Sequence, residues 1–327
     1  MNRIHRYVLP FIAAGIAWSA ETISGPVAGY VTDSSRTQLR TIFGVPGALR
    51  FSDPLVLPAG IRQIRLAPGQ DFALVENTGS APGVLVLKAG AVDRLTPVPD
   101  ALPSADWAAF SPAAGSAILY SLAAGRLQVL SGLPDAPRVT LDLDATTLPE
   151  QPAIGAVSDD GSLVLVASAT SLYRLSSGGS AQLVLSAAAI SSLAVLRNGT
   201  DAVLTDPSTG SVELVRNAGS GSQARVLASG LDGMGAIFPS PDGQTLYVAR
   251  PGGVSAVDLA SGAVQSFASS EAPAGLLPLR NRDTFLISAK SNQPAWIFYR
   301  DGTAGRTVFV PADDSATREN SARGGVR

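Results

Sequence analysis

Short apolar runs separated by turn residues extend along most of the chain. The clearest example starts at 236–249, where one apolar run ends at the turn 240–243 (SPDG) and a second run follows. Two further runs, 254–258 and 263–267, flank the turn 260–262 (ASG). Proline presets φ and glycine accepts a positive φ, so these residues favour tight turns. The pattern therefore predicts four short antiparallel strands in succession.

Weaker copies of this four-strand pattern occur along the chain, and the turn between the first two strands recurs about every 42 residues. The aligned turn positions are Gln70, Gly115, Gly161, Gly199, Gly243 and Arg282. A four-stranded repeat of about 40–45 residues is typical of a β-propeller blade. Ankyrin and leucine-rich repeats need shorter periods and helical segments, and a β-sandwich does not predict a sustained repeat.

The number of blades depends on the N-terminal segment. Residues 27–43 predict one more strand pair, and 48–57 predict a third strand. We therefore expect an all-β propeller of four-stranded antiparallel blades, with seven blades, one of them incomplete and built by the N-terminus. A six-bladed ring, with the N-terminal strands as a closing flap, is the alternative. Ring closure matters because it leaves only short, protected sheet edges.

One blade resembles a known repeat. Residues 240–249 (SPDGQTLYVA) followed by 254–262 (VSAVDLASG) are similar to the YVTN-type β-propeller repeat of exported bacterial proteins, a WD-like repeat. The resemblance covers 61–312 as architecture, and at 279–282 the turn motif is replaced by LRNR. It implies a propeller fold and export. Because the repeat is a structural signature, it implies no catalytic residues.

The first residues of the chain predict export. Arg3, His5 and Arg6 form a short basic region, an apolar run occupies 8–18, and small residues follow at 19–20. This is the layout of a secretory signal peptide. The apolar run is too short to cross a hydrocarbon core comfortably, although an uncleaved membrane anchor is the alternative.

Three segments follow from these observations. We predict a signal peptide over 1–20, a single β-propeller domain over 21–312 and a disordered polar tail over 313–327. After removal of the signal, no stretch is long enough to span a membrane. The expected location is the periplasm or the exterior of a bacterium.

The composition excludes several kinds of chemistry. Hydrophobic residues make up 46% and charged residues 15% of the chain, with 33 Gly and 23 Pro. There is no Cys, and the one His, His5, lies in the predicted signal. Disulfides, Cys or His nucleophile chemistry, Ser-His-Asp triads, ordinary zinc sites and haem ligation are therefore not expected. The net charge is −2 without a basic cluster, which disfavours nucleic-acid binding.

Candidate binding residues lie near the predicted channel. The first strand of each blade lines the channel of a propeller, and these strands are mostly small or apolar. Near their starts stand five charged residues: Arg62, Asp106, Glu150, Asp232 and Glu271. Carboxylates from several blades could bind a polar ligand or hold Ca²⁺, which takes oxygen ligands. The alternative is that they are solvated loop charges. We assign no catalytic and no metal-ligating residue.

The sequence thus favours one function and leaves another open. We expect an exported, monomeric, non-catalytic propeller without a cofactor, which binds a protein or cell-envelope component through a rim face. The alternative is a propeller hydrolase of the lactonase or glycosidase kind that uses carboxylates and calcium at the channel mouth. Fold resemblance alone cannot decide between them.

Overall fold

The described part of the chain is built from β-strands. The computed structural model describes residues 25–78, 81–289 and 294–311, so the predicted signal peptide and polar tail lie outside it. The described residues form 27 strands in seven antiparallel sheets, with one 3₁₀ turn at Ala145–Thr147 and no α-helix. Consequently, no helix among them is long and apolar enough to cross a membrane.

Each sheet is a meander in which strands pair with their neighbours in the sequence. Blade 1 has three strands: β1 (Val27–Thr32), β2 (Leu39–Val45) and β3 (Ala48–Pro54). Blade 2 has four strands: β4 (Ile61–Leu66), β5 (Phe72–Asn77), β6 (Gly83–Lys88) and β7 (Ala91–Pro97). Blade 3 consists of β8 (Trp107–Phe110), β9 (Ser116–Ser121), β10 (Arg126–Ser131) and β11 (Arg138–Asp144). Blade 4 consists of β12 (Ile154–Val157), β13 (Val164–Ala167), β14 (Ser171–Leu175) and β15 (Ala181–Ser186). Blade 5 consists of β16 (Ser192–Val195), β17 (Ala202–Asp206), β18 (Ser211–Arg216) and β19 (Gln223–Ala228). Blade 6 consists of β20 (Ile237–Pro239), β21 (Thr245–Arg250), β22 (Gly253–Asp258) and β23 (Val264–Ala268). Blade 7 consists of β24 (Leu277–Pro278), β25 (Thr284–Ser288), β26 (Ala295–Asp301) and β27 (Ala304–Val310).

The hydrophobic core is divided among the interfaces between blades. Among the described residues it forms seven clusters, one for each pair of adjacent blades. Val203 and Leu214 of blade 5, for example, pack with Leu246 of blade 6. The cluster that joins Ile42 of blade 1 to Ile297 of blade 7 closes the ring. An open arc of seven blades would have only six such interfaces.

The prediction of seven blades is confirmed, and the six-bladed alternative is wrong. The N-terminal strands do not form a flap, because β1 and β2 contribute core residues to both neighbouring interfaces. Tyr30 and Leu39, for example, are completely buried against blade 2. One detail of the repeat alignment is wrong. The turn of blade 3 is closed by a hydrogen bond from Ala114 N to Ser111 O, so Ala114 and not Gly115 occupies the aligned position.

The incomplete blade lacks an innermost strand within the described residues. β1 is buried almost throughout, as are the second strands of the other blades, such as β9 and β17. Its first residues lie against the turns that join first and second strands in blades 7 and 2, as shown by the bond from Arg280 N to Ala28 O (3.0 Å). First strands end at these turns, whereas second strands begin there. β1 therefore corresponds to a second strand.

Neighbouring blades satisfy the inner edge of β1. The side chain of Gln70, in the turn between β4 and β5, accepts a bond from Tyr30 N (2.5 Å) and donates to Tyr30 O (3.2 Å). A paired strand would make the same two kinds of bond. Gly29 permits this approach, since a Cβ there would lie 2.5 Å from Gln70 Oε1 and 2.8 Å from a side-chain carbon of Leu279. Blades 1, 2 and 7 thus meet at one point.

Candidate functional site

The ring has two ends, which differ in their chain connections. At one end, here called the connection face, the chain passes from the fourth strand of one blade to the first strand of the next. At the other, the turn face, first strands turn back into second strands. Of the five predicted residues, Asp106, Glu150, Asp232 and Glu271 lie in connections, before β8, β12, β20 and β24, while Arg62 lies within β4.

Asp106 is engaged in holding a turn of its own blade. Its Oδ2 accepts a bond from Leu122 N (2.6 Å), just beyond β9, and its backbone N donates to Tyr120 O (2.8 Å). Burial, assisted by the negative charge of Asp106, raises the pKa of Tyr120. The carboxylate therefore acts as a cap for the turn between β9 and β10.

Glu150 is likewise bonded to side chains of its own blade. Its Oε1 accepts from Ser171 Oγ (2.9 Å) and from the Tyr173 hydroxyl (3.0 Å). Hydrogen bonds from Ser168, Ser171 and Tyr173 hold the pKa of Glu150 below its ordinary value. Hydroxyl donors stabilise the ionised form, so this carboxyl group stays charged at neutral pH.

The other three predicted residues differ in their exposure. Arg62 and Asp232 are exposed, and Glu271 is half-buried with its backbone N donating to Ser269 Oγ (3.3 Å). Within the described ranges, no three Asp, Glu, His or Cys residues are grouped so that they could hold a metal ion.

The sequence analysis missed a buried ion pair near Asp106. Arg65 Nη1 lies 2.9 Å from Glu76 Oε1, and the two side chains are only 10% and 8% exposed. Both also bind the connection into blade 3: Arg65 donates to Ala105 O (2.5 Å), and Ala105 N donates to Glu76 (3.1 Å). Burial lowers the pKa of Arg65, and the charges of Glu76 and Asp106 oppose this effect. The pair therefore anchors the connection into blade 3.

A cavity of about 230 Å³ lies inside the channel, and no charged side chain lines it. Its walls come from first strands and the residues just before them: Trp107, Ala108, Ala109, Ile154, Gly155, Ser191, Ser192, Leu193, Ala236 and Ile237. Trp107 is held by stacking on Tyr120, with ring centroids 5.4 Å apart, and it packs over Gly155. The first strands of blades 3 to 6 thus share one cavity.

A second cavity, of about 220 Å³, opens at the turn face, and we call it the turn-face cavity. It is lined by Pro68, Gly69, Pro112, Ala113, Arg197, Phe238, Pro241, Pro278, Leu279, Arg280, Asn281, Arg282, Asp283, Thr284 and Phe285. Three arginines and one aspartate supply its charge. No residue of the predicted rim belongs to it, because that prediction concerned the opposite face.

The arginines of this cavity differ in their partners. Arg282 forms an ion pair with Asp242, and its Nε lies 3.8 Å from Asp283 Oδ2. Arg197 and Arg280 form no ion pair within the described ranges. The sequence offered a weak signal for this site, since Arg197 and Arg280 occupy the turn position at which blade 4 has Asp159.

Comparisons with known proteins identify the fold. No family model matches the chain, and no curated protein matches it. Among solved structures, a proposed 6-phosphogluconolactonase from Bacteroides uniformis is similar, with a TM-score of 0.56, 17% identity and coverage of 88% of this chain and 96% of that one. A proposed 6-phosphogluconolactonase from Bacteroides fragilis has a TM-score of 0.56 and 15% identity, covering 88% and 94%. The hydrazine synthase of Kuenenia stuttgartiensis has a TM-score of 0.51 and 10% identity, covering 93% and 100%. At these identities the similarity concerns the fold alone.

Proposed function

We propose that the protein is an exported, non-catalytic β-propeller that binds a protein or cell-envelope partner through one face of its ring. The observation that carries this proposal is the use of the best catalytic candidates for local structure. Asp106 caps a turn through Leu122 N, and Glu150 accepts bonds from Ser171 and Tyr173. Carboxylates committed to such bonds are poorly placed to act on a substrate.

The protonation state of Glu150 supports the same function. A general acid must carry a proton at the working pH, which requires a raised pKa for a carboxyl group. Hydrogen bonds from Ser168, Ser171 and Tyr173 shift the pKa of Glu150 in the opposite direction. Glu150 is therefore unsuited to the acid role that a glycosidase needs.

Export, a monomeric state and membership of the YVTN-type repeat family belong to this proposal. Their support is the basic-then-apolar pattern at 1–20 and the repeat motif at 240–262. We propose that the working protein needs neither a cofactor nor a nucleic-acid partner. Its rigid ring would serve to present turns and connections from seven blades on two faces.

A hydrolase is the second candidate, and the fold it shares with proposed 6-phosphogluconolactonases supports it. In that case Asp106 and Glu150 would act at the connection face, with calcium as the metal. Their hydrogen bonds would then have to break when substrate enters.

A turnover experiment separates the two candidates. We expect the purified protein to hydrolyse neither gluconolactone nor nitrophenyl glycosides above the buffer rate, with or without calcium. Calcium should also leave the melting temperature unchanged, since a ligand specific for the folded state raises it. Turnover that disappears in Asp106→Asn or Glu150→Gln would establish the hydrolase instead.

A further inference from the structure

The turn-face cavity collects positive charge from two blades that are not adjacent. Arg197 comes from the turn of blade 5, and Arg280 and Arg282 come from the turn of blade 7. Between them, the turn of blade 6 contributes the apolar ring of Pro241. The cavity therefore combines guanidinium groups with apolar walls, whereas the channel cavity has no charged lining.

The acidic residues of the turns on the same face already have hydrogen-bond partners within the protein. Asp159 Oδ1 accepts from Ala113 N (2.6 Å), and Asp160 accepts from the Ser158 and Ser162 hydroxyls. Asp242 accepts from Gln244 N (3.0 Å) as well as pairing with Arg282. No carboxylate of the described ranges pairs with Arg197 or Arg280. Arg280 also hydrogen-bonds to the Tyr30 hydroxyl, but this partner is neutral, so neither cation has its charge balanced by a carboxylate.

The wall of the cavity also adjoins a buried polar cluster. Asp283 lines the cavity, and its Oδ1 is buried without a hydrogen-bond partner among the described residues. The hydroxyl of Tyr247 is also unpartnered, in a residue that is 0% exposed. Burial raises the pKa of Tyr247, the Arg300 guanidinium opposes this effect, and the Asp283 carboxylate raises the pKa further, so these three side chains lie close together. These buried polar groups therefore face one another, and Asp283, as a carboxylate, offers no donor to an anion, so the positive character of the cavity comes from its arginines.

We propose that the turn-face cavity binds the carboxylate of an acidic side chain displayed by a partner protein. This inference rests on the proposed binding function and names its site and partner chemistry. The planar fork of an arginine matches a carboxylate with two parallel hydrogen bonds. The volume of about 220 Å³ is small for an extended ligand and fits one or two side chains. The walls of Phe238 and Pro241 suit the methylene groups of a glutamate.

Peptide titrations test the proposal on the full chain. We expect a hexaglutamate peptide to bind in isothermal titration calorimetry at low ionic strength and a hexaglutamine peptide not to bind. Raising the salt concentration should weaken binding, because exposed charges are screened. The Arg197→Gln/Arg280→Gln double variant should bind at least tenfold more weakly. The matched control is Arg306→Gln, which removes an exposed arginine of β27 outside the cavity and should leave the affinity unchanged.

Other outcomes would overturn the inference. If the double variant and Arg306→Gln bound hexaglutamate with equal affinity, any binding would depend on the net charge of the protein and not on the arginines of the cavity. Binding of inorganic phosphate without binding of hexaglutamate would make the site one for small phosphate anions. Neither outcome would create enzymatic turnover, so a failure here remains distinct from a failure of the proposed non-catalytic function.

Discussion

At the scale of single residues, Arg65 and Glu76 form the most buried ion pair of the described chain. Each side chain is about one-tenth exposed or less, and both bind backbone groups of Ala105. Removing two charges from water is costly, and the cost is offset only while the pair and its additional hydrogen bonds stay intact. Breaking one partner leaves the other charge buried alone.

The variant Glu76→Gln tests this account. It should lower the free energy of unfolding by about 3–5 kcal/mol, because Arg65 keeps its charge without a counterion. Urea denaturation followed by circular dichroism measures the effect. The control is Asp142→Asn, which breaks the pair with Arg126 whose side chains are both 40% exposed. Exposed pairs contribute about 0–1 kcal/mol, so similar losses in the two variants would contradict the interpretation.

The candidate site was only partly predictable at this scale. Residues such as Asp106 can be assigned to connections because strand order alone places them there. Glu76 was missed, since it lies next to the last residue of an otherwise apolar strand, and its partner is revealed only by the register of β4 and β5. Arg197 and Arg280 were missed for a different reason. Turn positions tolerate many residues, so a shared cavity becomes visible only when blades 5 and 7 are placed around one axis.

At the scale of elements, the strand pattern and the incomplete first blade were predictable, but which strand of that blade is absent from the described residues was not. The apolar runs 254–258 and 263–267 correspond within one residue to β22 (Gly253–Asp258) and β23 (Val264–Ala268). Turn chemistry marks such strand ends directly. Blade 1 shows one strand fewer, but a pattern of three runs does not tell whether the inner or the outer strand is absent. That choice depends on contacts with blades 2 and 7.

Gln70 provides a test of how the ring closes. It is completely buried with φ +53°, a conformation that favours the glycine found at equivalent turns in blades 4, 5 and 6. Gln70→Gly should relieve this local cost, but it removes both bonds to Tyr30. An unsatisfied buried group costs about 1–3 kcal/mol. We therefore expect a net loss of about 1–2 kcal/mol of stability and faster hydrogen exchange at the Tyr30 amide.

Blade 3 supplies the matched control for this variant. Ala114 occupies the same turn position with φ +60° and has no polar side chain. Ala114→Gly should change the stability by less than about 1 kcal/mol. If Gln70→Gly proved as stable as Ala114→Gly, with unchanged exchange at Tyr30, the amide would have no role in closing the ring.

At the scale of the whole molecule, stability comes from seven separate cores joined by turns. Without cysteine, no disulfide supports the ring, and the first and fourth strands are less buried than the middle two. The turns carry many of the remaining polar interactions. Asp144, Asp160 and Asp258, in blades 3, 4 and 6, each accept bonds from nearby hydroxyl and backbone groups. Loss of the hydrogen bonds in one turn should therefore destabilise the two inter-blade cores beside it.

These turn carboxylates predict how the ring responds to acid. Hydrogen bonds from Thr146, Ser158 and Ser261 are the largest causes that lower the pKa of Asp144, Asp160 and Asp258 below the ordinary value of 3.8. A lowered folded-state pKa stabilises the fold above the unfolded-state pKa, and this contribution disappears as the pH falls through the folded-state value.

The melting temperature should therefore be nearly constant from pH 7 to 5 and fall steeply below pH 4, as followed by circular dichroism. Asp160→Asn should reduce this slope, because one of the titrating groups is gone and the amide oxygen can still accept the bonds from Ser158 and Ser162. Asp232→Asn removes an exposed carboxylate from a connection and serves as the control, with the slope retained. A melting temperature that stays constant down to pH 3 would mean that the turn carboxylates do not stabilise the ring through their charge.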